Sequence, residues 1–152
     1  MRKQIIPFTI GALLAGVAFA DTTPIPSNTT LMPEHALTQQ QVESSIAAAG
    51  FKQVKELKFK DGVWKADARG GDRKWVDLYV HPVTGKIFQE GKPSKLNKQE
   101  VEAKLTATGY QKVHETKFKH GLWTADATTA NGKEVDLVVD PDDASVIAEE
   151  ME

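Results

Sequence analysis

Eleven residues, KFKDGVWKADA from Lys58 to Ala68, return as KFKHGLWTADA from Lys117 to Ala127. The likeness extends well beyond them. Leu37–Glu90 aligns with Leu96–Glu149 without a gap, and 23 of the 54 positions are identical. The chain must therefore build one small unit twice. We place the first copy at residues 37–90, the second at 96–150, and a linker at 91–95, Gly-Lys-Pro-Ser-Lys. A unit this small buries a poor fraction of its surface unless it docks on something else. A linker this short leaves the two units few relative orientations, so they are expected to touch. The pattern leaves open whether their sheets join edge to edge or pack as separate bodies.

Each copy opens with helix chemistry. Thr38 followed by Gln41, and Asn97 followed by Glu100, have the spacing of a capping box. Val42, Ile46 and Ala49 then fall on one helical face, as do Val101 and Leu105. Gly50 and Gly109 supply the left-handed residue that ends the helix, with Phe51 and Tyr110 placed to fold back on its last turn. The period then changes to two. Asp61-Gly62 and, more weakly, His120-Gly121 predict two-residue hairpin turns. That register sets Phe59 opposite Trp64 and Leu57 opposite Ala66 on one face, with Lys58 opposite Lys65 and Glu56 opposite Asp67 on the other. The second copy sets Phe118 opposite Trp123. A third strand is expected over 74–81 or 133–140, alternating Val76, Leu78, Val80 or Val135, Leu137, Val139. Turns at 82–85 and 141–144 lead to a last short strand near Ile87 or Val146. The expected fold class is α+β: two tandem repeats, each a short helix packed on an antiparallel sheet of three to four strands. Trp64 and Trp123 are read as core residues beneath their helices.

Residues 1–20, MRKQIIPFTIGALLAGVAFA, place Arg2 and Lys3 before an apolar run that ends in Ala-Phe-Ala, the pattern of a secretory signal cleaved near Ala20. The run is short for a membrane span and contains Pro7. Residues 21–36, rich in Pro, Ser and Thr, read as a flexible arm. The chain has no cysteine, so folding rests on apolar burial. Its 19 basic and 21 acidic side chains give a net charge of −2, and losing Arg2 and Lys3 would make it more negative. Nucleic acid is not an expected partner. The expected location is periplasmic or secreted, and the processed chain is not expected to be an integral membrane protein.

A helix ending in Gly50-Phe51, a hairpin with Gly62-x-Trp64, the strand Val76-Asp77-Leu78-Tyr79-Val80 and the turn Pro82-Val83-Thr84-Gly85 together resemble the PepSY domain. The resemblance covers both repeats. Two departures stand out: His81 replaces the acidic residue usual before the turn proline, and Asp142-Asp143-Ala144 replaces x-Thr-Gly in the second copy. The resemblance implies a non-catalytic module associated with restraining or binding peptidases. The tandem arrangement is also similar to that of beta-lactamase inhibitory protein, which uses an open sheet face against an enzyme.

No enzyme is expected from the motifs present. There is no G-x-S-x-G, no glycine-rich phosphate loop and no cysteine metal site. His114-Glu115-Thr116-Lys117-Phe118 begins like a zinc-protease motif but has Phe where the second His must stand. No catalytic residue, cofactor or metal is expected; Asp140, Asp142 and Asp143 could gather a weak calcium ion but suit turn chemistry better. The outward parity of the first sheet carries Trp75, Tyr79 and Phe88, rimmed by Lys58, Lys65, Asp77 and His81. This set is the candidate partner-binding patch, unless the other repeat or the arm covers it. The expected function is an exported binding module that binds or inhibits a peptidase or other envelope enzyme. The alternative is a periplasmic sensor or scaffold that binds a peptide, small ligand or metal ion and signals to a membrane partner.

Overall fold

The computed structural model describes residues 32–152. Residues 1–20, expected to be a secretory signal, and most of residues 21–36, expected to be an arm, lie outside the described residues. The order of elements is α1 (Gln39–Ala48), β1 (Gln53–Lys60), β2 (Val63–Arg69), β3 (Trp75–Val80), β4 (Ile87–Gln89), then α2 (Lys98–Ala107), β5 (Gln111–Lys119), β6 (Leu122–Thr128), β7 (Glu134–Val139) and β8 (Val146–Met151). Each copy forms its own antiparallel four-stranded meander, β1-β2-β3-β4 and β5-β6-β7-β8. The expected fold class is what is observed. None of the described helices is long and apolar enough to cross a membrane.

Both capping boxes form. The Gln41 amide donates to Thr38 Oγ1 and the Thr38 amide to Gln41 Oε1; the Asn97 and Glu100 pair repeats the exchange. At the helix ends Gly50 and Gly109 take positive φ, and the Phe51 and Tyr110 amides donate back to the Ile46 and Leu105 carbonyls. Only Val42 and Ile46 are buried on α1, and only Val101 and Leu105 on α2. Ala49, placed on the buried face by periodicity, is exposed because it caps the helix instead of continuing it. Such short helices are held by their caps and by two side chains each, at roughly 1.5–3 kcal/mol per buried aliphatic side chain.

Those side chains cover the inner face of each sheet. Val42 and Ile46 pack on Trp64, Ala66, Leu78 and Val80; Val101 and Leu105 pack on Trp123, Ala125, Leu137 and Val139. Trp64 and Trp123 are buried, each with its Phe across the hairpin at ring-centroid distances of 5.6 and 5.2 Å. Both central residues of each hairpin turn, Asp61-Gly62 and His120-Gly121, have positive φ, as a type I′ turn requires.

One register expectation is corrected. Phe59 pairs with Trp64 and Lys58 with Lys65, but Asp67 lies opposite Lys55, not Glu56. Glu56 sits at φ 54° and inserts an extra residue into β1, so the strand slips by one beyond Leu57. The slip brings Lys55 Nζ to 3.7 Å from Asp67. Two such irregularities interrupt β5, with Lys112 and Glu115 at positive φ.

The two sheets neither merge at their edges nor stand apart. Their outer faces, opposite the helices, meet through Val63, Phe88, Leu122 and Ile147, all buried, with Tyr79 and Val138 packed at the margin. Leu122 is the counterpart of Val63, and Ile147 that of Phe88, so the repeats offer each other the same patch. The contacts are reciprocal at close range too. A methyl at Gly62 would overlap that of Ala148, and a Cβ at Gly121 would lie 2.6 Å from the Gln89 carbonyl oxygen. Gly121 is the counterpart of Gly62, and Ala148 that of Gln89. Reciprocity of this kind is the mark of a two-fold interface, here between two halves of one chain. Lys86 reinforces it, donating to Asp140 Oδ2 at 2.6 Å and pairing with Asp142 at 2.9 Å, while Lys95 of the linker reaches Asp142 at 3.1 Å. The linker adds a bond from Trp123 Nε1 to Ser94 Oγ at 2.8 Å.

Candidate functional site: the cleft between the repeats

The docked faces do not close along their whole length. Beyond the apolar contact, a cleft of about 430 Å³ opens between them. Its floor is the outer face of β6, β7 and β8, with Leu122 and Val138 at the apolar end and Thr124, Asp126, Asp136 and Glu150 beyond. Its wall comes from the first repeat: Asp61, Val63, Lys65 and Tyr79. The rings of Tyr79 and His120 stack at 5.7 Å, and His120 Nδ1 is 2.8 Å from Glu90 Oε1, so this wall is itself a contact between repeats. Burial, followed by the nearby charges of Glu90, Asp77 and Asp61, raises the Tyr79 phenol above its ordinary range.

The residues singled out from sequence are dispersed by the docking. Phe88 is 5% exposed between the sheets and offers nothing to a partner. Tyr79 and Lys65 line the cleft, with Lys65 bonded to Asp61. Trp75 remains 44% exposed on the uncovered part of the first sheet, with Lys55 Nζ 4.2 Å from its ring centroid. Asp77 is exposed on the same strand, and Lys58 on the edge strand β1. His81 stands in the β3–β4 turn. A single open aromatic patch is therefore not formed, because the second repeat covers its centre.

His81 also explains its own departure from the family pattern. Its Nδ1 accepts the Val83 amide at 3.1 Å and the Thr84 amide at 3.4 Å, doing with a ring nitrogen what Asp140 Oδ1 does for the Asp142 amide in the second copy. Burial lowers the His81 pKa and Lys86 lowers it further, against an opposing pull from Asp140. The unfolded chain thus takes up the proton more readily than the folded one. Stability is full above the unfolded pKa of about 6.5 and is lost as pH falls through that value towards the depressed one. We expect the urea midpoint to fall between about pH 7 and pH 5. His81→Asn, which keeps an acceptor without titrating, should flatten that slope; an unchanged slope would discount the turn.

Asp140, Asp142 and Asp143 are turn residues in fact: Asp140 and Asp142 hold Lys86, and Asp143 Oδ1 accepts the Ser145 amide. Lys86 and Lys95 hold the Asp142 carboxyl below the usual range, and bonds from Ser145 do the same for Asp143. Among the described residues, the carboxylates that approach each other closely enough to share a metal ion are Asp126, Asp136 and Glu152, of which Asp126 and Asp136 also line the cleft. The acidic character of this face is not among the sequence expectations. The signal was present in the differences between copies, where Lys55 and Lys65 become His114 and Thr124.

The family described as "Peptidase propeptide and YPEB domain" matches residues 4–91 and again 89–150. The chain belongs to the PepSY family. No curated protein and no solved structure matches it. PepSY domains are commonly propeptide-like or regulatory modules of peptidases, which supports a non-catalytic, protein-binding role.

Proposed function

We propose that this PepSY protein is an exported, non-catalytic module that binds, and by binding restrains, a peptidase or another enzyme of the cell envelope. The observation that carries the reading is the cleft, which exists only because two PepSY units dock face to face and which takes its wall from one and its floor from the other. A cleft between rigid, cross-braced sheets suits recognition of an extended segment or a protruding side chain. The leader pattern of residues 1–20 supports export.

The test is capture of proteins from the envelope fraction of the source cell by the immobilised chain, followed by assay of every retained enzyme with and without it. Loss of activity in a retained peptidase is the expected result. Retention of a sensor protein alone would favour the sensor or scaffold role, and retention of nothing would remove the reading.

A further inference from the structure

Three carboxylates cross the cleft floor on adjacent strands. Asp126 lies opposite Asp136 on β6 and β7, and Asp136 lies opposite Glu150 on β8. Like charges set directly opposite are unfavourable unless something neutralises them. In the first repeat, Lys55 does this for the equivalent pair, sitting 3.7 Å from Asp67, which faces Asp77. In the second repeat the counterpart of Lys55 is His114, whose Nδ1 lies against the Lys112 and Asp126 carbonyl oxygens, not a carboxylate. The counterpart of Lys65 is Thr124, and that of Gly91 is Glu150. Relative to the first repeat, the outer face of the second thus carries two lysines fewer and two acids more, Glu134 in place of Trp75 and Glu150 in place of Gly91.

The lysines near the cleft are engaged elsewhere. Lys65 is held by Asp61, Lys117, opposite Thr124, is paired with Glu115, and His120 Nδ1 faces Glu90. Lys119 lines the cleft but is not within ion-pair distance of Asp126, Asp136 or Glu150. Glu150 Oε1 is cut off from solvent and has no hydrogen-bond partner among the described residues. Glu150 lines the cleft, and a turn of its side chain towards it would let a ligand supply the missing donor. Burial, then the neighbouring Asp126, pushes the Asp136 carboxyl above the ordinary aspartate range, a strain that a bound cation would relieve. Beside this row, Leu122, Val138 and the Tyr79 ring form an apolar stretch. A long aliphatic stem ending in a positive group matches that sequence of surfaces.

We propose that the cleft receives a lysine or arginine side chain of the bound protein or peptide, its stem against Leu122, Val138 and Tyr79 and its charge on Asp126, Asp136 and Glu150. This rests on the binding-module reading and names what that module recognises. The test titrates acetyl-Gly-Lys-Gly-amide, and the same peptide with norleucine for lysine, into the isotopically labelled chain while following the Thr124, Asp136 and Val138 amides by NMR.

Saturable shifts with the lysine peptide alone are expected, weakened about tenfold in Asp136→Asn/Glu150→Gln, as the loss of a charge-assisted contact implies. Those substitutions relieve like-charge opposition, so the fold should survive them. Equal shifts with norleucine, or no effect of the double substitution, would overturn the proposal. So would shifts of the same amides by calcium or zinc ions without any response to lysine, which would make the acidic row a metal site. Envelope capture by the double variant separates the two claims. Undiminished capture would sink the cleft assignment while leaving the binding module intact. Absence of capture by the unaltered chain, with lysine-peptide binding retained, would sink the module reading and leave the site.

Discussion

Phe88→Ala is expected to lower the free energy of unfolding by about 3–5 kcal/mol, as removal of a buried Phe side chain usually does. The size of the effect comes from where the ring lies. It is 5% exposed and packs with Val63, Leu122 and Ile147, two buried residues of the opposite repeat among its three neighbours in that cluster. No helix covers this layer, so the cavity cannot be filled by a helix moving inwards, and the two sheets would have to close on each other. Their approach is already limited by Gly62 against Ala148 and Gly121 against Gln89. Urea unfolding followed by tryptophan fluorescence measures the change. A loss under about 1 kcal/mol would mean that the repeats hold together through Lys86 and the linker instead.

Leu137→Ala should cost a similar amount, about 2–5 kcal/mol, by a different route. Leu137 is 1% exposed on the inner face of the second sheet, in the cluster that Val101 and Leu105 of α2 complete. That helix buries only those two side chains, so removing the surface beneath it also weakens the helix itself. Amide exchange should show the second repeat opening before the first in this variant, whereas Phe88→Ala should loosen both together. Uniform loss of protection across both repeats in Leu137→Ala would instead mean that the two inner cores unfold as a single unit.

Much of this architecture was legible because its determinants are local. A capping box needs four consecutive residues, a type I′ hairpin needs Asp-Gly or its equivalent, and strand parity needs only alternation. Thr38, Asn97, Gly62 and Gly121 therefore do what their neighbours in the chain predict. The slip at Glu56 was not legible, since a glutamate at φ 54° leaves no compositional mark and one inserted residue changes which side chains meet. Nor was the fate of the aromatic face. Parity correctly put Trp75, Tyr79 and Phe88 on the side away from the helix, but parity cannot say what covers that side.

The amino-acid sequence by itself determined that one helix-and-meander unit is built twice, placed Trp64 and Trp123 in the core, and led to the expectation that the two units touch. Each of these follows from periodicity or from chain connectivity. Only the tertiary structure decided that the docking is face to face and nearly two-fold, that Phe88 is interior, and that Asp126, Asp136 and Glu150 floor a cleft walled by Tyr79 and Lys65. The reason is physical: packing between sheets depends on how two surfaces fit, a property of residues far apart in the chain, and that fit leaves no period in the sequence that makes it.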